Sequence, residues 1–430
     1  MTQTQTRRAI LREEEFVPLL QEASASWGGW IAACLEEPER LHRPAVLAKV
    51  SETAHALETF LDDHGARLNQ TFVLFGELVA SVRGLVGVRL KLSLLDLRLS
   101  RYPSVLPQEP LESDLSRAEG LLDTAIIALG VSATEEAGVL GLSWSPSAEA
   151  VSESPSRPRL LPRNLDAEET EDERDHIAAI GSRYMTVVNA SRSLDLTRVR
   201  DRSELPRFVA DHATEDRCRW YESAVHNIQS MYDTHVAGTA IEEDQPWLRK
   251  LRGHASLALH LLEMATDLIH FYERHENDVR HEPSQQAVSE VVVKGDVLDL
   301  AVNICLRQAY LYVEGGAGLA DQLLETFVVQ REQAFQLPEG LTLHARPLAL
   351  MVQVARHFGT PLEVTIAGES CPANSLMGLI MLAGNHPKAR EISVRGDSRA
   401  LLDLAALFDS GLGEVGSELP AQLEYLRLGA

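Results

Sequence analysis

Residues 343–382 read LHARPLALMVQVARHFGTPLEVTIAGESCPANSLMGLIML. The first five place His344, Arg346 and Pro347 at the head of an apolar run with helical character. Proline has no N–H and a fixed φ, so it suits the first turn of a helix, where an N–H would be unpaired anyway. A helix is therefore expected from about Ala345 to Phe358, with His344 at its N-terminal edge. Free backbone N–H groups and the positive end of the helix dipole converge there, which suits an anion. Arg346 can offer a planar fork of donors to phosphate oxygens. These parts fit a histidine that takes up a phosphoryl group and gives it away. By spacing alone they also fit a helix-capping histidine next to a solvated arginine.

Working outward, LEVTIAGE (Leu362–Glu369) and REISVRG (Arg390–Gly396) alternate with the period of strands. SLMGLIML (Ser375–Leu382) is a short helix, and SRALLDLAALFDSG (Ser398–Gly411) closes the chain as another. Short strands interleaved with helices over about a hundred residues indicate a small α+β domain.

The run from LHARP to NSLMG resembles HPr, the histidine-containing phosphocarrier family of the phosphotransferase system, over about residues 333–425. The resemblance puts His344 at the phosphorylated position, Arg346 and Pro347 at its matching neighbours, and Ser375 where many members carry a regulatory serine. Leu376 and Met377 match positions the family exposes to its partners. It implies an open-faced β-sandwich and a carrier with a covalent phosphohistidine, not a turnover enzyme. It further implies a donor such as enzyme I and a downstream acceptor protein or regulator. Thr342 stands where the family usually has glycine, which bears on carrier competence, and Pro372 falls in the third strand, tolerable on a sheet edge. Read from the residues alone, Ser375 is an N-cap, and Leu376 and Met377 could equally fill the core.

The remaining three-quarters is of another kind. At 430 residues the chain exceeds one compact core. The expected fold is multidomain: a mainly α N-terminal region followed by the C-terminal α+β HPr-like domain. The expected divisions are a helical region at 1–104, a partly disordered and linker segment at 105–164, a bundle-like helical region at 165–332 and the phosphocarrier domain at 333–430. Within 105–164 a short helix is expected at Ser116–Leu129, and Ser145–Asn164 is rich in Ser and Pro and reads as a linker. VRLKLSL (Val88–Leu94) alternates like a strand but has helical flanks, so helix is preferred. Pro246–Glu276 is the clearest helix, and Asp296–Gln330 is helical with an interruption at Glu314–Gly318.

The formal charge is −23, which disfavours nucleic acid and anionic lipid as partners. TFVLFGELVASVRGLVGV is interrupted by Glu77 and Arg83 and reads as a buried helix, not a membrane span. Cys34, Cys218, Cys305 and Cys371 are scattered without a CxxC pair, which fits reduced thiols in the cytoplasm. Acid-x-x-His spacings at Glu52/His55, Asp267/His270 and Asp278/His281 occur little more often than chance, and a solvated face explains them. No cofactor or metal is expected. Two other functions remain open: an HPr-like binding module no longer used as a carrier, and a metal-dependent helical protein with an appended phospho-sensor.

Overall fold

A computed structural model describes residues 10–147, 172–192, 194, 198–276, 282–337, 340–414 and 420–427. Most of the Ser145–Asn164 linker and the Asp278/His281 pair lie outside these residues. The helices are α1 (Glu13–Glu36), α2 (Pro44–Asp63), α3 (Val73–Arg98), α4 (Glu109–Val139), α5 (Asp172–Arg192), α6 (Leu205–His212), α7 (Glu215–His235), α8 (Ala240–Asp244), α9 (Leu248–Glu276), α10 (Glu282–Val291), α11 (Lys294–Asp299), α12 (Arg307–Gly315) and α13 (Ala317–Phe327). The C-terminal part then runs β1 (Gln330–Gln336), α14 (Ala345–Phe358), β2 (Leu362–Ile366), β3 (Glu369–Pro372), α15 (Leu376–Asn385), β4 (Glu391–Asp397) and α16 (Ser398–Asp409). Among the described residues no helix is long and apolar enough to cross a membrane.

The chain forms two compact units. The first comprises residues 1–164, 194–223 and 256–312. Its helices α1 to α4 pack in succession, and α4 closes back on α1. The stretch Val88–Leu94 is helical within α3, whose buried residues include Leu78, Val82, Leu85 and Leu92. The helix expected at Ser116–Leu129 is much longer, spanning all of α4. Its buried stripe continues through Gly130, Ala133 and Ala137, residues too small to register as an apolar pattern. Between α11 and α12 the helix widens into a π-helical segment at Leu300–Leu306.

The second unit comprises residues 165–193, 224–255 and 313–430. Within it α13 packs against α5 at glycine-sized contacts. A Cβ on Gly181 would lie 2.8 Å from Leu323, and one on Gly316 would strike the Tyr184 ring. Gly316 is the break that the sequence places within Glu314–Gly318.

The C-terminal part is a sheet of four antiparallel strands in the order β1-β4-β2-β3, with helices on one face. This is an HPr-like α+β fold. Leu362, Val364 and Ile366 of β2 and Ile392 and Val394 of β4 turn inward onto α14, α15 and α16. Glu363 and Arg395 alternate outward, so the other face is open. β3 is an edge strand, and Pro372 sits on it without interrupting a central ladder. β1 begins before the boundary expected at 333, and all but one of its residues are exposed. Its place is set by pairing: Phe335 lies opposite Ile392 and stacks on Phe408.

The core of this fold is drawn from residues 335–426 alone. A fragment covering residues 329–430 is therefore expected to unfold cooperatively on its own, with dispersed amide signals. A collapsed spectrum would mean that the preceding helices complete its core. Within that fragment Gly396 lies at the closest approach of β4 to β2, where an added Cβ would come 2.6 Å from the Pro361 carbonyl oxygen. Gly396→Ala should lower its denaturation stability by about 1–3 kcal/mol, because backbone must move to make room.

Candidate functional site

His344 is the N-cap residue of α14, with extended backbone (φ −124°, ψ −175°), and its carbonyl accepts the N–H of Leu348 at 3.2 Å. Its imidazole caps nothing and is half exposed. Arg346 is exposed and forms no ion pair among the described residues. Pro347 is the third residue of the helix and is buried, so its missing N–H falls in the turn where it costs no bond. The apolar residues that hold this end in place are Leu343 and Leu348, both packed on the core.

One neighbour was not foreseen. The carboxylate of Glu414 lies 3.3 Å from His344 Nε2 and is largely shielded. It is delivered by a tight turn after α16, in which Gly411, Leu412 and Gly413 all have positive φ (72°, 57° and 70°). Leu412 is an unusual residue for that conformation. It is fully buried and donates its N–H to the Leu407 carbonyl at 2.8 Å, which anchors the turn. Gly413 is needed because a Cβ there would meet Leu350 at 2.7 Å. The only sequence trace of this acid is the SGLGE run that ends the last helix.

His344 also borders a hollow of about 390 Å³ with an apolar floor that includes Leu337, Leu348, Ile380 and Ala383. Arg390 borders it as well and donates to the carbonyls of Leu341 (3.1 Å) and Leu337 (3.3 Å), which fixes the segment leading to His344. His386, on the far wall, lies 3.2 Å from Glu369 and, with Asn385, holds that carboxyl below its usual range. The loop AGNHPKAR at 383–390 thus forms one side of the site. A larger hollow of about 750 Å³ lies by Arg356, Thr360 and the other end of α14, and none of the predicted site residues lines it.

Ser375 is the N-cap of α15, where its Oγ accepts the Gly378 N–H at 3.1 Å. Gly378 permits that closeness, since a Cβ would lie 2.9 Å from the same Oγ. Leu376 and Met377 do not fill the core. With Ile380 and Met381 they form an exposed apolar row along α15, while Leu379, Leu382 and Ala383 point inward.

In the helical region, the acids and histidines of the i, i+3 spacing have other partners. Asp267 pairs with Lys91 at 2.7 Å, His270 Nδ1 lies 2.8 Å from Glu215, and Glu52 pairs with Lys49 at 3.0 Å. The face of α9 that carries Asp267 and His270 is not wholly solvated: Ser256 is fully buried.

Residues 331–410 match the family model described as the PTS HPr component phosphorylation site, and this C-terminal region is an HPr-family domain. The match implies a phosphocarrier role in the phosphotransferase system and interaction with proteins of that system such as enzyme I. His344, Arg346, Pro347, Ser375, Leu376 and Met377 all fall inside it, and Glu414 falls outside. No solved structure matches the chain.

Removing the α15 cap should be felt as stability. Ser375→Ala is expected to destabilise the C-terminal domain by about 1 kcal/mol, whereas Ser375→Asp keeps a capping oxygen and should restore most of it. Urea denaturation monitored on the domain reads both values; equal stability in all three proteins would leave the Ser375–Gly378 bond without energetic weight.

Proposed function

We propose that this protein carries a phosphoryl group on His344, received from a phosphohistidine donor such as enzyme I and passed to an acceptor protein or reported to a regulator. One observation supports the reading above all: a half-exposed imidazole at the start of α14, inside the HPr match, with the Glu414 carboxylate beside its Nε2 and, two residues on, a guanidinium that forms no ion pair among the described residues. A lone pair on the imidazole would attack the donor's phosphorus. The donor's P–N bond breaks, and the donor imidazole leaves with the bonding electrons.

The residues divide the work. The carboxylate of Glu414 favours a proton on Nε2, which leaves Nδ1 as the nucleophilic nitrogen. Arg346 and the free N–H groups of the first turn of α14 hold the phosphoryl oxygens. Pro347 sets where that turn starts. Glu414 also stands as a negative charge beside the loaded phosphoryl group, which works against tight retention and favours onward transfer. The exposed row of Leu376 and Met377 meets the donor and acceptor. Phosphate on Ser375 would add about −2 charge beside that row and compete for the Gly378 N–H, so this serine is a candidate regulatory site. The helical region serves as a regulatory or docking module of a cytoplasmic carrier.

A binding module that no longer transfers phosphate is the second reading. Thr342 in the segment before His344 and the exposed α15 row favour it.

Incubation with phosphoenolpyruvate and a matched enzyme I separates the two. The carrier should gain one phosphoryl group that is labile in acid and stable in base. His344→Ala should abolish the gain with the fold intact. Arg346→Ala should slow transfer without removing the acceptor, since each charge-assisted bond lost is worth about 1.5–3 kcal/mol. An active donor that labels its own carrier but leaves this protein unlabelled would rule out the carrier reading and leave the binding module.

A further inference from the structure

The chain carries a formal charge of −23, yet Arg117, Arg198, Arg200, Arg202 and Arg307 line a single hollow of about 510 Å³ in the first unit. Asp299 is the carboxylate that lines the hollow with them, and Asp296 pairs with Arg202 at 2.6 Å, so two acids stand against five guanidinium groups. Like charges gathered in this way repel one another unless an anion joins them.

The arginines are held there by buried structure. Asp299 is 4% exposed and pairs with Arg117 and, at 3.4 Å, with Arg202. It also accepts the side-chain amide of Asn303 at 2.7 Å. Asn303, itself 4% exposed, then closes two bonds of 2.9 Å to the backbone N–H and carbonyl of Val199. This amide clamp fixes the residue between Arg198 and Arg200. Asn303 sits in the π-helical segment Leu300–Leu306, a widened turn of the kind often kept at functional sites, and Arg307 follows it directly. Arg198, Arg200 and Arg307 form no ion pair among the described residues, so three guanidinium groups are left uncommitted.

A second hollow of about 570 Å³ adjoins the first and shares Arg198, Val199 and Arg200 with it. Its wall includes the half-buried ring of Phe208, with His212 at 5.3 Å between ring centroids. It also includes Asp201 and Glu204. Two carboxylates repel phosphate but accept hydrogen bonds from hydroxyl and amino groups. The groove is thus cationic at one end, and aromatic with acceptors at the other. Its size suits a small molecule, and the acidic chain around it disfavours a long polyanion.

We propose that this groove binds a nucleoside polyphosphate. The phosphates lie among Arg198, Arg200 and Arg307. The base lies against Phe208, and its amino group or the ribose hydroxyls face Asp201 and Glu204.

Calorimetric titration of the full chain with ATP, GTP, AMP and inorganic tripolyphosphate tests it. A nucleoside triphosphate should bind saturably, and AMP at least about tenfold more weakly, because it lacks the groups that reach the further arginines. Arg198→Ala/Arg200→Ala should weaken the triphosphate by about tenfold or more while leaving circular dichroism and melting unchanged, since both side chains are exposed. Phe208→Ala should weaken the nucleotide and leave tripolyphosphate unaffected. No saturable binding of either nucleoside triphosphate would overturn the proposal, as would binding undiminished in the double-arginine variant. Tripolyphosphate binding as tight as the nucleotides, with no effect of Phe208→Ala, would overturn the nucleoside half and leave an inorganic anion site. None of these readouts depends on phosphorylation of His344.

Discussion

The position at which α14 begins constrains the whole C-terminal site. Helix starts leave backbone donors without partners. Here the helix starts one residue past His344, with an extended N-cap and a buried proline in the first turn. One further turn toward the N-terminus would place the imidazole on a helix flank, away from the free N–H groups. One turn later would leave it in the preceding segment, a full turn of helix short of those N–H groups. The far end is fixed as firmly: Gly359 leaves the helix in the left-handed conformation, and its Cβ position lies 3.0 Å from Ser182 of α5. A helix pinned at both ends presents its first residue in one place.

Charge is arranged against the background in both units. In the C-terminal domain a shielded carboxylate is brought to the histidine by a turn with three successive positive φ values, a conformation that favours glycine and is occupied at its centre by a buried leucine. Local backbone strain of that kind persists only where surrounding packing enforces it. In the helical unit five arginines converge within a strongly acidic chain, organised by one buried aspartate and one buried asparagine. In the helical unit, buried polar groups with satisfied bonds place side chains that face solvent.

The exposed row on α15 belongs to the same economy of faces. The helix is apolar nearly all round, yet Leu379, Leu382 and Ala383 suffice to seat it on the sheet. Leu376, Met377, Ile380 and Met381 are surplus to that packing and remain outside. This surplus is the apolar surface proposed for docking. The row starts at Ser375, so the cap that begins the helix also borders the surface.

The sequence by itself determined the local elements of the C-terminal fold. Pro347, the strand alternation of β2 and β4, and the capping serine are short-range signals, and each acts through a few neighbouring residues. With the two motifs in register, the resemblance to HPr also made His344, Arg346 and Ser375 the candidate site residues. Other features depended on residues distant in the chain. β1 carries almost no apolar alternation and becomes a strand only because β4 offers it a ladder. α4 runs well beyond its expected C-terminal end, where Gly130 packs against α1 and Ala133 and Ala137 are buried, and small residues give no periodic signal. Glu414 reaches His344 across a sequence separation of 70, and Asn303 clamps Val199 across one of 104, through turns whose geometry packing enforces. Local propensity acts over one or two turns of chain, whereas the acid beside the histidine and the gathered arginines exist only once distant segments have closed on a common core.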